Sequence, residues 1–161
     1  MNMKKVIDIS WLSAFTFFML LTLSSCLEAG LDELESYNDA EIRGFKFEHR
    51  WEQTINGGNN TQLGVVSLPT NVKIEGNTVY CTITVPEAGN PSFFTEEVRN
   101  NVKLEKIVGI ATISTASTIY PLDGAPALGK WGDFSKVSKY KVVAADGKTT
   151  KEWIIQCTLI K

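Results

Sequence analysis

A single histidine in 161 residues leaves little room for histidine chemistry. A catalytic dyad would have to use that one residue, and a multi-histidine zinc site cannot be assembled. Cysteine is scarce as well, with three residues, too few for a disulfide-stapled mini-protein. Neither sign of charge dominates: 16 Lys and Arg stand against 18 Asp and Glu, and the pI is about 5.5. A phosphate-binding domain usually carries a basic patch and a pI above about 9, so nucleic acid is not expected as a partner. The chain contains no Gly-rich phosphate loop, no Gly-x-Ser-x-Gly elbow and no His-Glu-x-x-His motif. Glu96 and Glu97 are adjacent, and adjacent side chains point apart on a helix or a strand, which disfavours a cooperating acid–base pair. These absences predict a protein with no catalytic residues, no metal and no cofactor.

An apolar run long enough to span a bilayer is also missing. Lys4 and Lys5 precede the uncharged run from Trp11 to Leu23. Thirteen helical residues at about 1.5 Å each fall short of a hydrocarbon core of about 30 Å, which suits a secretory signal peptide over residues 1–25. The run ends in Leu23-Ser24-Ser25-Cys26. This tetrapeptide resembles the bacterial lipobox, in which the cysteine is lipidated and becomes the new N-terminus. Cys26 is therefore the expected lipidation site and the membrane the expected partner through it. Several acyl chains hold firmly, because each buried CH₂ contributes about 0.8 kcal/mol.

After residue 25 the charge is uneven. Glu28, Asp32, Glu33, Glu35, Asp39 and Glu41 occur with no base among them, whereas residues 43–161 carry 14 bases and 11 acids. An acidic tether over residues 26–40 thus leads into a mildly basic domain over residues 41–161. The acidic stretch also resembles the surface-export signal of Bacteroidetes lipoproteins; a solvated spacer has the same composition. The expected location is the outer membrane, at the cell surface or on the periplasmic leaflet.

The domain itself reads as strands and turns. Phe45, Phe47, His49 and Trp51 alternate with charged residues, a period of two that marks a half-buried strand. His49 is then a residue of the core edge. Gly76-Asn77 separates Val72–Glu75 from Val79–Val85, and Asp146-Gly147 separates Tyr140–Ala145 from Glu152–Ile160, both hairpin signals. Pro86 should end its strand, and Thr95 should cap a single helical turn. Lys103 to Thr115 reads as one strand, or two divided at Gly109, and Pro121 to Gly132 as a long surface loop. Short strands with frequent turns predict an all-β antiparallel sandwich of about seven strands.

The segments Ala40-Glu41-Ile42-Arg43-Gly44-Phe45, Thr82-Ile83-Thr84-Val85-Pro86, Asp133-Phe134-Ser135 and Tyr140 to Gly147 resemble, in that order, the Ig-like domains of Bacteroidetes surface lipoproteins. The resemblance covers about residues 40–161 and marks turns and core, not a ligand site. It implies an Ig-like sandwich, and some relatives accompany glycan-uptake systems. The chain carries one such domain with no recognisable enzyme or binding domain after it.

Trp131 lies between two glycines in Gly129-Lys130-Trp131-Gly132. Exposed, it would stack on a sugar ring or anchor a partner protein; folded back, it would plug the open end of the sandwich. Tyr120 and Phe134 are the aromatics expected beside it. Trp51 and Trp153 are expected in the core, and Tyr140 as a tyrosine corner. Two functions are consistent with this reading: a non-catalytic binding module for a polysaccharide or a glycan-uptake partner, and a structural or adhesive lipoprotein that works by strand addition. Cys81 and Cys157 each share a strand face with aliphatic residues. They read as two separate buried thiols in preference to a bridge, since Ig-type bridges join the second and sixth strands and Cys157 lies in the last.

Overall fold

The structure, a computed structural model, describes residues 37–55 and 60–161. The predicted signal peptide, Cys26 and most of the acidic tether lie outside the described residues. Nine strands form two packed sheets: β1 (Ile42–Ile55), β2 (Asn60–Leu68), β3 (Thr70–Glu75), β4 (Thr78–Thr84), β5 (Ile107–Ile113), β6 (Thr118–Leu122), β7 (Trp131–Gly132), β8 (Ser138–Val143) and β9 (Thr150–Ile160). One sheet runs in the order β2-β1-β5-β7 and the other β3-β4-β9-β8-β6. A short helix, α1 (Glu96–Asn100), and a 3₁₀ turn at Leu104–Lys106 lie in the connection from β4 to β5. Among the described residues, no helix is long and apolar enough to cross a membrane.

The sandwich is nearly all β, as its alternating apolar pattern requires, with more strands than the sequence suggested. One pair departs from the antiparallel rule: β4 and β9 run parallel, from Thr78 opposite Ile154 to Thr84 opposite Ile160. Pro121 lies inside β6 instead of opening a loop; β6 is the edge strand of its sheet, where a missing N–H is tolerated. The Lys103–Thr115 segment forms one strand, β5, behind the 3₁₀ turn.

Strand β1 explains how the core is organised. A register shift between Ile42 and Gly44 changes the parity of the strand, so Ile42 and Phe45 can both face inward. Phe45 and Phe47 then stack at 5.1 Å, and Phe134 meets Phe47 edge-on at 5.1 Å. From the facing sheet come Val79, Ile83, Tyr140, Val142, Trp153 and Ile155, all buried. The indole N–H of Trp153 donates to the Ala40 carbonyl at 3.0 Å, and the buried Tyr140 hydroxyl donates to Pro126 at 2.7 Å. Tyr140 thus ties its strand to the loop ahead of β7, the structural role expected of it. Burial raises its phenol pKa above the ordinary value.

Cys81 and Cys157 are free thiols, as expected, but they are neighbours. Cys81 on β4 and Cys157 on β9 are register partners on neighbouring parallel strands. Sequence position alone could not bring them together, because the pairing is the one parallel contact among the described strands.

β1 is longer than its partner β5. It pairs with β5 only from Ile42 to Glu48, while its pairing with β2 continues to Ile55. The second half of β1 and most of β2 therefore project as a two-stranded ribbon. The inner face of that ribbon is covered by the β4–β5 connection, where Thr95 caps α1 by accepting from the Val98 N–H at 3.3 Å.

Candidate functional site

Trp131 sits on the outer side of the first sheet. It pairs with Val108 at the sheet edge, so it is held by a strand rather than carried on a free loop. Its indole N–H donates to the Arg50 carbonyl at 3.3 Å, and the Arg50 guanidinium donates to the Gly129 carbonyl at 3.1 Å. The Lys106 ammonium lies 5.4 Å from the ring centroid. These contacts fix the ring's orientation while leaving Trp131 48% exposed. Beside it Leu63 is 54% exposed, and the two border a depression of about 380 Å³ with Arg50, Gly129 and Lys130. The surface is a rigid apolar platform edged by cations.

The other two aromatics expected there are elsewhere. Tyr120 is exposed, but it belongs to β6 at the edge of the second sheet, with the Lys141 ammonium 5.9 Å from its ring. The depression beside Trp131 is lined by Arg50, Leu63, Gly129 and Lys130, without Tyr120. Phe134 is buried at 1% exposure, so it cannot touch a ligand. Its ring occupies space kept open by Gly109, whose added Cβ would lie 2.5 Å from the Phe134 Cζ. The Asp133-Phe134-Ser135 segment is a turn that drives this ring inward. Asp133 accepts from the Ser135 N–H at 2.8 Å, and the Phe134 N–H donates to Leu104 at 2.8 Å. The hydroxyl and N–H of Ser135 hold the Asp133 carboxyl below its usual pKa.

A second concave surface lies under the projecting ribbon. The inner face of β1 continues past the core as His49, Trp51 and Gln53. With Phe93, Thr95 and Glu97 of the covering connection they enclose a cleft of about 640 Å³. Gly64 of β2 stands opposite Trp51 and makes room for it: a Cβ there would come within 2.7 Å of Cζ2 and 2.8 Å of Nε1. The indole therefore lies across the ribbon, with His49 stacked on it at 5.6 Å and Phe93 at 6.0 Å. His49 is buried, as the alternation of β1 predicts. Desolvation lowers its pKa, which a hydrogen bond to the Lys106 backbone only partly opposes, so the ring is neutral at physiological pH.

From alternation alone Trp51 belongs to the core, and Gln53 and Phe93 carry no role. The one available signal is that the alternation of β1 runs on to a polar residue on the inward face. Glu96 and Glu97 are exposed on α1. Among the described residues, no group of three His, Cys, Asp or Glu side chains gathers as metal ligands would.

Two packed sheets with a fixed aromatic platform on one face and a cleft beneath a projecting hairpin define a small β-sandwich module. The chain belongs to the DUF5018-related family, whose sequence profile matches residues 42–156. It is similar to a crystal structure from Bacteroides fragilis NCTC 9343, of a protein named as predicted to be secreted. That similarity reaches 32% identity and a TM-score of 0.69, over 78% of this chain and 99% of the other. It agrees with the bacterial group that the sequence motifs suggested. A Bacteroides thetaiotaomicron protein, named as a predicted glycoside hydrolase, shares 18% identity at a TM-score of 0.45. There the match spans 82% of this chain and 28% of the other, too distant to bear on activity. No protein of curated function matches the sequence.

Proposed function

We propose that this protein is an exported, non-catalytic binding module, anchored to the outer membrane through lipidated Cys26, that engages a cell-surface glycan or a glycan-uptake partner at the Trp131 platform. The observation that carries the reading is the fixed, half-exposed indole of Trp131, flanked by Leu63 and backed by the Arg50–Gly129 contact. An aromatic ring already held in place loses little freedom on binding and offers a flat apolar face, as a sugar ring requires. The named secretion of the Bacteroides fragilis relative supports export.

Affinity electrophoresis of the purified protein through polysaccharide gels tests this reading. Retardation by at least one polysaccharide is expected, with the apparent affinity falling roughly tenfold or more in Trp131→Ala, the usual scale for an aromatic anchor. Retention that survives the substitution removes Trp131 from the site. Reproducible glycan turnover would overturn the non-catalytic assignment.

The free edge of β2 favours a second reading, an adhesive lipoprotein acting by strand addition. This nine-residue edge strand exposes Leu63 and Val65. Failure on every polysaccharide, together with capture of a peptide strand at β2, is the outcome that would select it.

A further inference from the structure

In the cleft under the ribbon, two polar atoms are buried with no hydrogen-bond partner among the described residues. His49 is 4% exposed and its Nδ1 has no partner; Gln53 Oε1, four residues along the same strand, has none either. Unpaired buried polar atoms are rare in native proteins because each forfeits its bonds to water. A neutral imidazole carries one N–H and one lone pair, so in either tautomer Nδ1 can pair with a hydroxyl, which both donates and accepts. The amide oxygen of Gln53 is an acceptor. Neither atom finds a partner among the described residues.

The rest of the lining narrows the chemistry of a fitting partner. Glu52 and Glu97 border the cleft, and neither Lys nor Arg does, so a carboxylate or phosphate ligand would meet like charge. The indole of Trp51 and the ring of Phe93 form an apolar wall, their planes tilted by 41°. Phe93 is 39% exposed, so this wall remains open to solvent. A volume of about 640 Å³ is within the range of small-molecule sites. Few uncharged molecules combine an apolar face with several hydroxyl donors around its rim; a sugar ring does.

We propose that the cleft between the β1–β2 ribbon and the β4–β5 connection binds a neutral sugar ring, its apolar face against Trp51 and Phe93 and its hydroxyls hydrogen-bonded to His49 Nδ1 and donating to Gln53 Oε1. The ring is a free monosaccharide or the end residue of a longer glycan. This site is distinct from the Trp131 platform, and monosaccharide binding and polysaccharide retention are measured separately, so either can fail alone.

Saturation-transfer NMR of the purified protein with neutral hexoses, glucuronate and glucosamine tests the proposal, and matched oligosaccharides distinguish a free sugar from a chain end. Neutral hexoses should receive saturation, and glucuronate should not. Gln53→Leu keeps the side-chain volume and removes the acceptor, and Phe93→Ala removes an exposed part of the wall. Each should weaken binding by roughly tenfold, with far-UV circular dichroism unchanged. An oligosaccharide that binds where its free sugar does not assigns the chain end within the same proposal. No transfer to any neutral sugar, transfer that survives both substitutions, or preference for glucuronate or for cationic glucosamine would each overturn it.

Discussion

Replacing Phe134 with alanine is expected to destabilise the domain by about 3–5 kcal/mol, the range for truncating a buried phenylalanine. The ring is 1% exposed and touches Phe45 and Phe47 from one sheet while filling the space above Gly109. No neighbouring side chain can collapse into the gap without leaving its own contacts, so the loss combines transfer energy with a cavity. Urea unfolding measures it: the midpoint should fall sharply while the slope stays constant, which separates lost stability from a changed denatured state. Phe134→Leu should cost much less. A loss under about 1 kcal/mol for the alanine variant would mean that the ring is not part of the core.

The contrast between Phe134 and Trp131 shows what sequence could and could not resolve. Three positions apart in one Gly-rich segment, they read as a pair of loop aromatics. The turn at Asp133 separates them, sending Trp131 to the outer sheet face and Phe134 into the core. The room for Phe134 comes from Gly109, on a strand far away in the chain, and no local pattern records that. Local patterns did serve where structure is local. The Gly76-Asn77 turn, with Gly76 at φ +57°, the Asp146-Gly147 turn, with Gly147 at φ +66°, and the alternation of β1 through His49 all appear where the sequence placed them. Export and lipidation at Cys26 depend on residues outside those described.

The cleft was hidden for a related reason. Trp51 continues the inward alternation of β1, so it reads as core. Whether an inward residue is covered depends on how far the partner strand extends, and β5 stops pairing at Glu48. Beyond that point the same face looks toward the β4–β5 connection, whose path over the ribbon is a tertiary choice. The unpaired atoms of His49 and Gln53 follow from that geometry.

Oxidised glutathione is expected to join Cys81 to Cys157. Neighbouring strands lie about 4.8 Å apart, and register partners on them fall inside the Cα range of about 4.4–6.8 Å that a disulfide tolerates. The two thiols influence one another: proximity to Cys157 holds the Cys81 thiol below its ordinary pKa, and proximity to Cys81 together with burial pushes Cys157 up. The thiolate of one cysteine attacks a glutathione sulfur and releases one glutathione; the sulfur of the other, losing its proton, displaces the second and closes the bridge. Two protein thiols are oxidised, and one glutathione disulfide is reduced to two thiols. Cys157 is half-buried beneath a surface depression of about 310 Å³ that gives the oxidant access. Closing a loop of about 75 residues stabilises the fold by about 4 kcal/mol in the chain-entropy model, enough to raise Tm by on the order of 10 °C. Thiol titration of the denatured, unreduced protein, with Cys26 replaced, measures the outcome. Two reactive thiols before treatment and none after, with a mass lower by two hydrogens, is the expected result. Thiols that still titrate, or a mass raised by bound glutathione, would show that the parallel register holds the two sulfurs at an angle no bridge can span.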